Sequence, residues 1–393
     1  MIIIGVVQIG LENFQYLNCE LFYNYNFREE DYLNKQQVEN RILYLDILRV
    51  LAIFAVITIH VTAMDIIKVK DIGSFEWWVS NIFNSISRWG VPVFFMMSGV
   101  LLLNPKNDES TSEFLKKRIG KIGIPLIVWS IIYSIAKHYF IEMDKPEIIT
   151  YPKILLTDII FDRAYYHLWF IYVIITIYLI TPFLRKIIKH SNIKEIRYLL
   201  ILWFVSTIGS YTYESIYTCI LHERSSYIRI LDIPLVGGFI GYFVLGYYLN
   251  KIEITKKIRG IIYFIAGSSF ILIPILIYST SIGKTKLNEQ FYNHFMITTF
   301  FITIGVFVFF RYKNFDNIIP VNMKKLIVSM SNATFGIYLV HMLVLGNIVN
   351  DIIPKEINTI IKIIARVILT YIISYLIVML GRLNKYLKKY LFP

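Results

Sequence analysis

The segment that most constrains the fold is residues 45–64, LDILRVLAIFAVITIHVTAM, an apolar stretch that contains Asp46, Arg49 and His60. A helix of about 20 residues crosses roughly 30 Å of hydrocarbon. At about 100° per residue, the side chains of Arg49 and His60 point in the same direction within roughly 20°, about 16 Å apart along the axis. Asp46 lies one turn before Arg49, so residues 46, 49, 53, 56 and 60 form one stripe. Because ionisable groups are costly in lipid, this pattern predicts a spanning helix whose stripe faces a protein-lined interior.

A purely structural interpretation of the stripe is also open. Asp46 and Arg49 would then form an ion pair near one membrane surface, with the long Arg49 side chain extending toward water. His60 would reach toward the opposite surface. We favour a functional interpretation, because ionisable residues inside membranes usually mark substrate or ion pathways.

The remainder of the chain predicts further membrane helices. Of its 393 residues, 56% are hydrophobic and 17% are charged, which is typical of a membrane protein and excludes an ordinary soluble domain. The expected fold is all-α, a polytopic transmembrane bundle. About ten spans are expected, at about 45–64, 82–103, 120–141, 166–184, 197–216, 233–250, 259–279, 291–310, 332–350 and 358–381.

The positions of Lys and Arg predict the orientation of the bundle. With a cytosolic N-terminus, 25 of the 40 basic residues fall in predicted inner segments and 11 in predicted outer loops. The positive-inside rule therefore predicts that both termini are cytosolic. The net charge of +13 is then explained mostly by the basic residues of the predicted inner segments. A nucleic-acid partner would require the positive charge to collect on one patch, so none is expected.

Two short segments flank the expected membrane domain, which covers residues 41–381. Residues 1–40 begin with an apolar stretch that is too short to span a bilayer and lacks the basic region of a signal peptide. They are interpreted as a cytosolic N-terminal extension without an assigned role. Residues 382–393, RLNKYLKKYLFP, form a basic cytosolic tail suited to the anionic lipid of the bilayer.

Three residues in or near the predicted spans have chemistry that suits catalysis or anion binding. His60 is the best candidate for a general base, because imidazole has an unperturbed pKa of about 6.5 and exchanges protons near neutral pH. Arg88, in the predicted outer half of the second span, is a cation that can stabilise an oxyanion. Arg118 belongs to a basic cluster at the predicted cytosolic mouth of the third span, where it either serves topology or binds phosphate.

Three further side chains are weaker candidates. His167, in YYHLWF, is either functional or part of the aromatic belt of a membrane interface. His341 lies one helical turn after Tyr338, and a hydrogen bond between helices explains it as well as catalysis does. No set of His, Cys, Asp and Glu has the spacing of a metal site, so no metal is expected.

Four stretches together resemble the acyltransferase-3 family of integral-membrane O-acyltransferases. The most specific feature is an Arg followed by ten residues and a His, here Arg49 and His60. The resemblance covers about residues 41–381, agrees with the ten expected spans, and leaves residues 1–40 without a counterpart. The four stretches are 41–60, 88–103 followed by 114–125, 167–184 and 331–341.

The resemblance implies transfer of an acyl group, usually acetyl, from a cytosolic acyl-CoA to a hydroxyl of a cell-surface polysaccharide or its lipid-linked precursor. The chain is similar to stand-alone members that modify surface polysaccharides, which implies a multi-pass protein of the bacterial cytoplasmic membrane with acetyl-CoA as its donor. His60 is then expected to be essential and Arg49 to handle the donor. The full expectation is His60 and Arg88 as catalytic residues, Arg49, Arg118 and Asp46 as donor-binding residues, and His167, Tyr338 and His341 near the acceptor or supporting the site.

A different class of function also suits these features. A bundle of about ten spans with a polar interior is compatible with a transporter or flippase for a polysaccharide or a lipid-linked sugar. Absence of a convincing internal repeat weakens this alternative without excluding it.

Overall fold

A computed structural model describes residues 41–68, 71–104, 109–143, 146–147, 149–221, 237–284, 287–315, 317–354 and 356–393. The described residues are predominantly helical and include no strand. The expected N-terminal extension, residues 1–40, lies outside the described residues. The all-α class predicted from the sequence is confirmed for the part that is described.

The helices follow one another through short connections. Sequence signals explain several of their ends: Ser110 with Glu113, and Asn192 with Glu195, form capping boxes at two helix starts. Three π-helical segments occur, at Lys137–Ile141, Phe204–Gly209 and Leu345–Val349. The α-helices of the described residues are α1 (Leu43–Lys68), α2 (Phe75–Ser87), α3 (Gly90–Leu102), α4 (Thr111–Ala136), α5 (Tyr151–Ile160), α6 (Trp169–His190), α7 (Ile193–Trp203), α8 (Ser210–Leu221), α9 (Phe239–Lys251), α10 (Lys256–Ser281), α11 (Ile297–Tyr312), α12 (Val321–Val344), α13 (Asn350–Ile352), α14 (Thr359–Leu383) and α15 (Lys385–Tyr390).

Eight helical segments in the described residues are long and apolar enough to cross a membrane. The expected spans at 197–216 and 233–250 are not among them. Helices α7 and α8 are joined by the π-helical segment Phe204–Gly209 into one continuous helical stretch. Of the expected span at 233–250, residues 233–236 lie outside the described residues, and α9 covers Phe239–Lys251. A multi-pass helical bundle is therefore confirmed, while the ten-span count and the orientation of the termini stay predictions. The eight segments are Leu43–Ile67, Phe75–Leu102, Thr111–Tyr139, Trp169–His190, Lys256–Ser281, Gln290–Tyr312, Val321–Ile352 and Thr359–Leu383.

Helix α1 lies at the centre of the bundle. It packs against α2, α3, α11, α12 and α14. Along the stripe predicted from the sequence, Asp46, Ile53 and Val56 are at most 4% exposed. The stripe therefore faces protein and not lipid, as its ionisable residues predicted.

Helices α3 and α9 pack with their backbones in close contact. A Cβ atom added to Gly99 would overlap the carbonyl oxygen of Phe243, and one added to Gly246 would overlap that of Met96. Small residues permit such an approach between membrane helices. This packing places Phe95 against Phe239, with ring centroids 4.4 Å apart, and fixes the wall of the bundle beside α1.

Candidate functional site

Three imidazole rings from distant parts of the sequence meet inside the bundle. His60 lies on α1, His167 directly precedes α6, and His341 lies on α12. The ring centroid of His341 is 5.2 Å from that of His60 and 5.2 Å from that of His167, and the other two are 6.4 Å apart. The structure therefore unites the predicted base with two of the weaker candidates. We call these three residues the imidazole cluster.

Hydrogen bonds from α12 hold the imidazole cluster in place. The Nδ1–H of His341 donates to the backbone carbonyl of Tyr338 over 2.6 Å, and the Tyr338 hydroxyl donates to the backbone carbonyl of His167. Tyr133 of α4 ties its hydroxyl to the carbonyl of Leu339 at 2.7 Å. Tyr338, a predicted site residue, therefore links α12 to the segment that carries His167.

Several nitrogen atoms of the imidazole cluster are buried without a hydrogen-bond partner among the described residues. They are both ring nitrogens of His167 and Nε2 of His341. Leaving such a group unpaired costs about 1–3 kcal/mol, so these atoms are suited to receive a polar group of a substrate. Within the described residues, no group of three His, Cys, Asp or Glu is arranged to hold a metal ion.

Arg88 is held beside α1 at the level of the imidazole cluster. Its guanidinium donates to the side-chain oxygen of Asn84 and lies 4.1 Å from the ring centroid of Tyr292. Asn84 in turn donates to Thr62 of α1 over 2.9 Å. Arg88 is within electrostatic range of His60, so the structure brings together the two residues predicted to be catalytic.

His294 also lies in this region, although no pattern in the sequence assigned it a role. Its ring centroid is 6.0 Å from those of Trp169 and Phe239, and it is within electrostatic range of Arg88. Its Nδ1 is buried without a hydrogen-bond partner in the part of the chain that the structure describes. In the sequence, His294 lies close to a predicted loop. Its surroundings depend on contacts between α6, α9 and the start of α11, which the sequence does not show.

An ion-pair network surrounds Asp46 near the start of α1. The carboxylate is 2.9 Å from Arg41 and 3.3 Å from Arg49, and it accepts a hydrogen bond of 2.6 Å from the hydroxyl of Ser331 on α12. Arg49 donates to the same hydroxyl over 2.9 Å. Asp46 is 3% exposed, so it holds Arg49 in position and is itself covered.

A cavity of about 200 Å³ extends from Arg49 toward the imidazole cluster. Its cationic lining residues are Arg49, Arg118 and Lys121, and its other lining residues include Tyr338. The Tyr338 ring is 5.4 Å from that of His167 and 5.8 Å from that of His341. Along α12, ten residues separate Ser331, which contacts Arg49, from His341, which is about 15 Å of helix. The other lining residues are Phe94, Ser98, Ile122, Phe170, Ile174, Tyr178, Thr334 and Phe335.

The cavity changes the expected list of donor-binding residues in two ways. Asp46 does not line it, because its carboxylate is used by Arg41, Arg49 and Ser331. Lys121, which the sequence analysis treated only as part of the topological charge, does line it. The spacing of Lys121 three residues after Arg118, on one face of α4, was the signal that could have identified it.

Other ionisable groups of the bundle are paired with one another. Arg366 of α14 is 3.3 Å from Asp65 of α1. Asp158 is 3.3 Å from His138 and accepts a hydrogen bond of 2.7 Å from Ser134. These contacts give both sets a structural explanation within the fold.

Comparisons with known proteins agree with the resemblance read from the sequence. A family model described as an acyltransferase domain matches residues 42–379, most of the chain. The chain is also 27% identical over 213 residues to a protein named amino-acid racemase from Enterococcus faecalis. That match covers 52% of this chain and spans only 28% of the length of that relative. No solved structure matches the chain.

Proposed function

The chain belongs to the acyltransferase-3 family and is a membrane acyltransferase, and on this premise we propose that it transfers an acetyl group from cytosolic acetyl-CoA to a hydroxyl of a cell-surface polysaccharide or its lipid-linked precursor. The main support for this proposal is the cavity lined by Arg49, Arg118 and Lys121 and also by Tyr338, whose ring lies beside the imidazole cluster. The cavity ends at Tyr338, whose ring neighbours those of His167 and His341, and this proximity supports the proposal. The proposed location is the bacterial cytoplasmic membrane.

The cationic end of the cavity suits the phosphates of the donor. Guanidinium groups bind phosphate with two parallel hydrogen bonds, and Lys adds a point charge. Sites for drug-sized ligands usually measure about 300–1,000 Å³, so a cavity of about 200 Å³ suits the thin pantetheine arm but not the nucleotide. The nucleotide therefore stays outside, against Arg49, Arg118 and Lys121, and the arm runs inward along Phe94 and Phe170.

The proposed reaction is direct transfer. His60 removes the proton from the acceptor hydroxyl, and the resulting oxygen attacks the thioester carbonyl carbon. Arg88 stabilises the negative charge that develops on the carbonyl oxygen. As the C–O bond of the ester forms, the C–S bond breaks, and His60 returns the proton to the departing CoA thiolate. The acetyl tip reaches His60 past Tyr338, which lines the cavity.

Labelled donor provides a direct test. Membranes that contain the protein are incubated with acetyl-CoA carrying a ¹⁴C label in its acetyl group, and the glycan fraction is extracted. We expect label in the glycan, released by mild alkali because the product is an ester. Matched membranes without the protein are the control. If movement of a sugar across sealed vesicles depends on the protein while no label reaches glycan, the proposal is overturned in favour of a transporter.

A further inference from the structure

The segment between α5 and α6, residues 161–168, is held firmly against the bundle. The Arg163 amide donates to the carbonyl of Asp158 over 2.8 Å, and Lys137 donates to the carbonyl of Arg163 over 3.3 Å. Tyr172 of α6 bonds back to the carbonyl of Ile159 at 2.6 Å. These contacts fix the position of the side chains that the segment presents beside His60. We refer to it as the 161–168 segment.

Tyr166 of this segment is an exposed aromatic residue next to the proposed base. Its ring centroid is 5.5 Å from that of His60, yet 57% of the residue is exposed. On its other side Tyr165 stacks against it at 5.0 Å and packs in turn on the buried ring of Tyr133 at 4.7 Å. Tyr166 is therefore a supported ring with a free surface at the edge of the imidazole cluster.

Asp162 of the same segment has a carboxylate oxygen that lacks a partner. Its Oδ1 is buried and makes no hydrogen bond with any described residue. Asp162 is within electrostatic range of Tyr338 and Tyr172, which places its charge on the side of the segment that faces α12 and α6. The unpartnered oxygen of Asp162 is an acceptor, and the two unpartnered ring nitrogens of neutral His167, whose ring centroid is 6.2 Å from that of Tyr166, supply one donor and one acceptor.

An aromatic surface with a few buried hydrogen-bond acceptors has a clear chemical preference. A pyranose ring presents an apolar C–H face that packs on an aromatic side chain, and hydroxyls around its edge that donate to carboxylate or imidazole. Pockets that recognise small ligands combine an apolar wall with a small number of polar groups in this way. A fatty chain would leave the carboxylate oxygen unpaired, which is costly.

We propose that Tyr166 and Asp162 form an acceptor subsite for a pyranose ring, in which the sugar packs on Tyr166, donates a hydroxyl to Asp162, and presents another hydroxyl to His60. The inference rests on the proposed acyl transfer and assigns the specificity for a sugar to the 161–168 segment. Either a polymer or a lipid-linked precursor supplies the same ring.

The test compares cyclic and acyclic acceptors. The enzyme in lipid nanodiscs receives labelled acetyl-CoA together with methyl pyranosides of glucose, galactose and N-acetylglucosamine, or with glycerol. We expect Tyr166→Ala to raise the KM of the preferred pyranoside about tenfold and to change the slow transfer to glycerol much less. Tyr166→Trp should restore pyranoside binding, because any large aromatic ring provides the surface.

Phe161→Ala is the matched control, because Phe161 is an equally exposed aromatic residue of the same segment whose ring does not pair with His60. An unchanged pyranoside KM in Tyr166→Ala, or an equal loss with glycerol, overturns the subsite alone. Failure of the wild-type enzyme to acetylate any acceptor, including native membrane glycan, overturns the proposed function itself.

Octyl and methyl glycosides of the same sugar distinguish the two sources of the ring. A much lower KM for the octyl glycoside indicates a lipid-linked acceptor. Equal values indicate a polymer. Both results support the subsite only when Tyr166→Ala raises the KM for both glycosides.

Discussion

The ring centroids of His60 and His341 lie 5.2 Å apart, although the two residues are on α1 and α12 and are separated by most of the chain. The Nδ1–H of His341 is occupied by the Tyr338 carbonyl, so only its Nε2 is left to meet a ligand. The proposed base, His60, thus has a neighbour with a fixed orientation. Preorganised neighbours of this kind keep a catalytic group in place without a rearrangement during the reaction.

Replacement of His60 tests the proposed base. A positioned general base contributes about 10²–10⁴-fold to the rate, so His60→Ala should lower acetyl transfer by that factor with an unchanged amount of protein in the membrane. Initial rates with labelled acetyl-CoA measure the loss. His190→Ala, at an exposed position on the last turn of α6, should transfer at the wild-type rate. Normal activity in His60→Ala would exclude His60 from the mechanism.

Replacement of Ser331 tests the network around Asp46. Its hydroxyl accepts from Arg49 and donates to Asp46, and hydrogen bonds to charged groups contribute about 1.5–3 kcal/mol. Ser331→Ala should therefore raise the KM of acetyl-CoA about tenfold or more, with a smaller effect on kcat. Ser329→Ala is the control, because Ser329 pairs with the Tyr375 hydroxyl at 2.8 Å and not with Arg49. Equal KM values in the two variants would contradict this role.

Replacement of Gly246 tests the packing of α3 on α9. An added methyl group meets the backbone of Met96, and overpacking of this kind costs about 1–3 kcal/mol. Gly246→Ala should lower the thermal transition of the solubilised protein. At Gly267 on α10 an added Cβ meets no atom within 4 Å, so Gly267→Ala should keep or raise the transition, because Ala favours helix. An equal decrease of the thermal transition in both variants would mean that the close approach of α3 and α9 does not explain the effect of Gly246→Ala.

The pH dependence of acceptor binding should reflect Asp162. Burial raises the pKa of its carboxyl from the ordinary value to about 6, so the group is charged above that pH and protonated below it. The charged carboxylate accepts a sugar hydroxyl more strongly than the protonated acid does, so the pyranoside KM should rise as the pH falls from 7 to 5. Lys137, Arg163, Tyr172 and Tyr338 near this carboxyl are residue types that do not ordinarily titrate in this range. His167 of the same segment is of a type that does, so the experiment needs a reference acceptor.

Glycerol is the reference acceptor for that experiment, because protonation of the catalytic groups affects both acceptors. The ratio of pyranoside to glycerol transfer isolates the acceptor subsite. In Asp162→Asn the ratio should be low and independent of pH. A wild-type ratio that stays constant between pH 5 and 7 would argue against a role for the carboxylate.

The sequence predicted those features that depend on the geometry of one helix. The inward stripe of α1 follows from the spacing of Asp46, Arg49 and His60, and burial confirms its direction. The family resemblance over residues 41–381 is confirmed by the match to residues 42–379. Both depend on the spacing of residues along the chain, which the sequence shows directly.

Features that depend on contacts between helices were not predictable in the same way. Nothing in the spacing of His167 or His341 says that they meet His60, because that contact depends on how α12 packs on α1 and on where the 161–168 segment lies. The bond of Ser331 with Asp46 crosses 285 positions of sequence. Lys121 shares one face of α4 with Arg118, which its spacing shows, but whether that face lines the cavity depends on where α4 packs.

The small volume of the cavity between Arg49 and Tyr338 has a consequence for the choice of acyl donor. In the proposed reaction the acyl group enters first, through a space of about 200 Å³ bounded by Phe94, Phe170 and Tyr338. A two-carbon group fits at the end of the pantetheine arm in such a space, whereas a long acyl chain would need volume beyond Tyr338 that this cavity does not supply. Fidelity toward small donors would then arise from exclusion by size, a form of selectivity that needs no contact with the acetyl group.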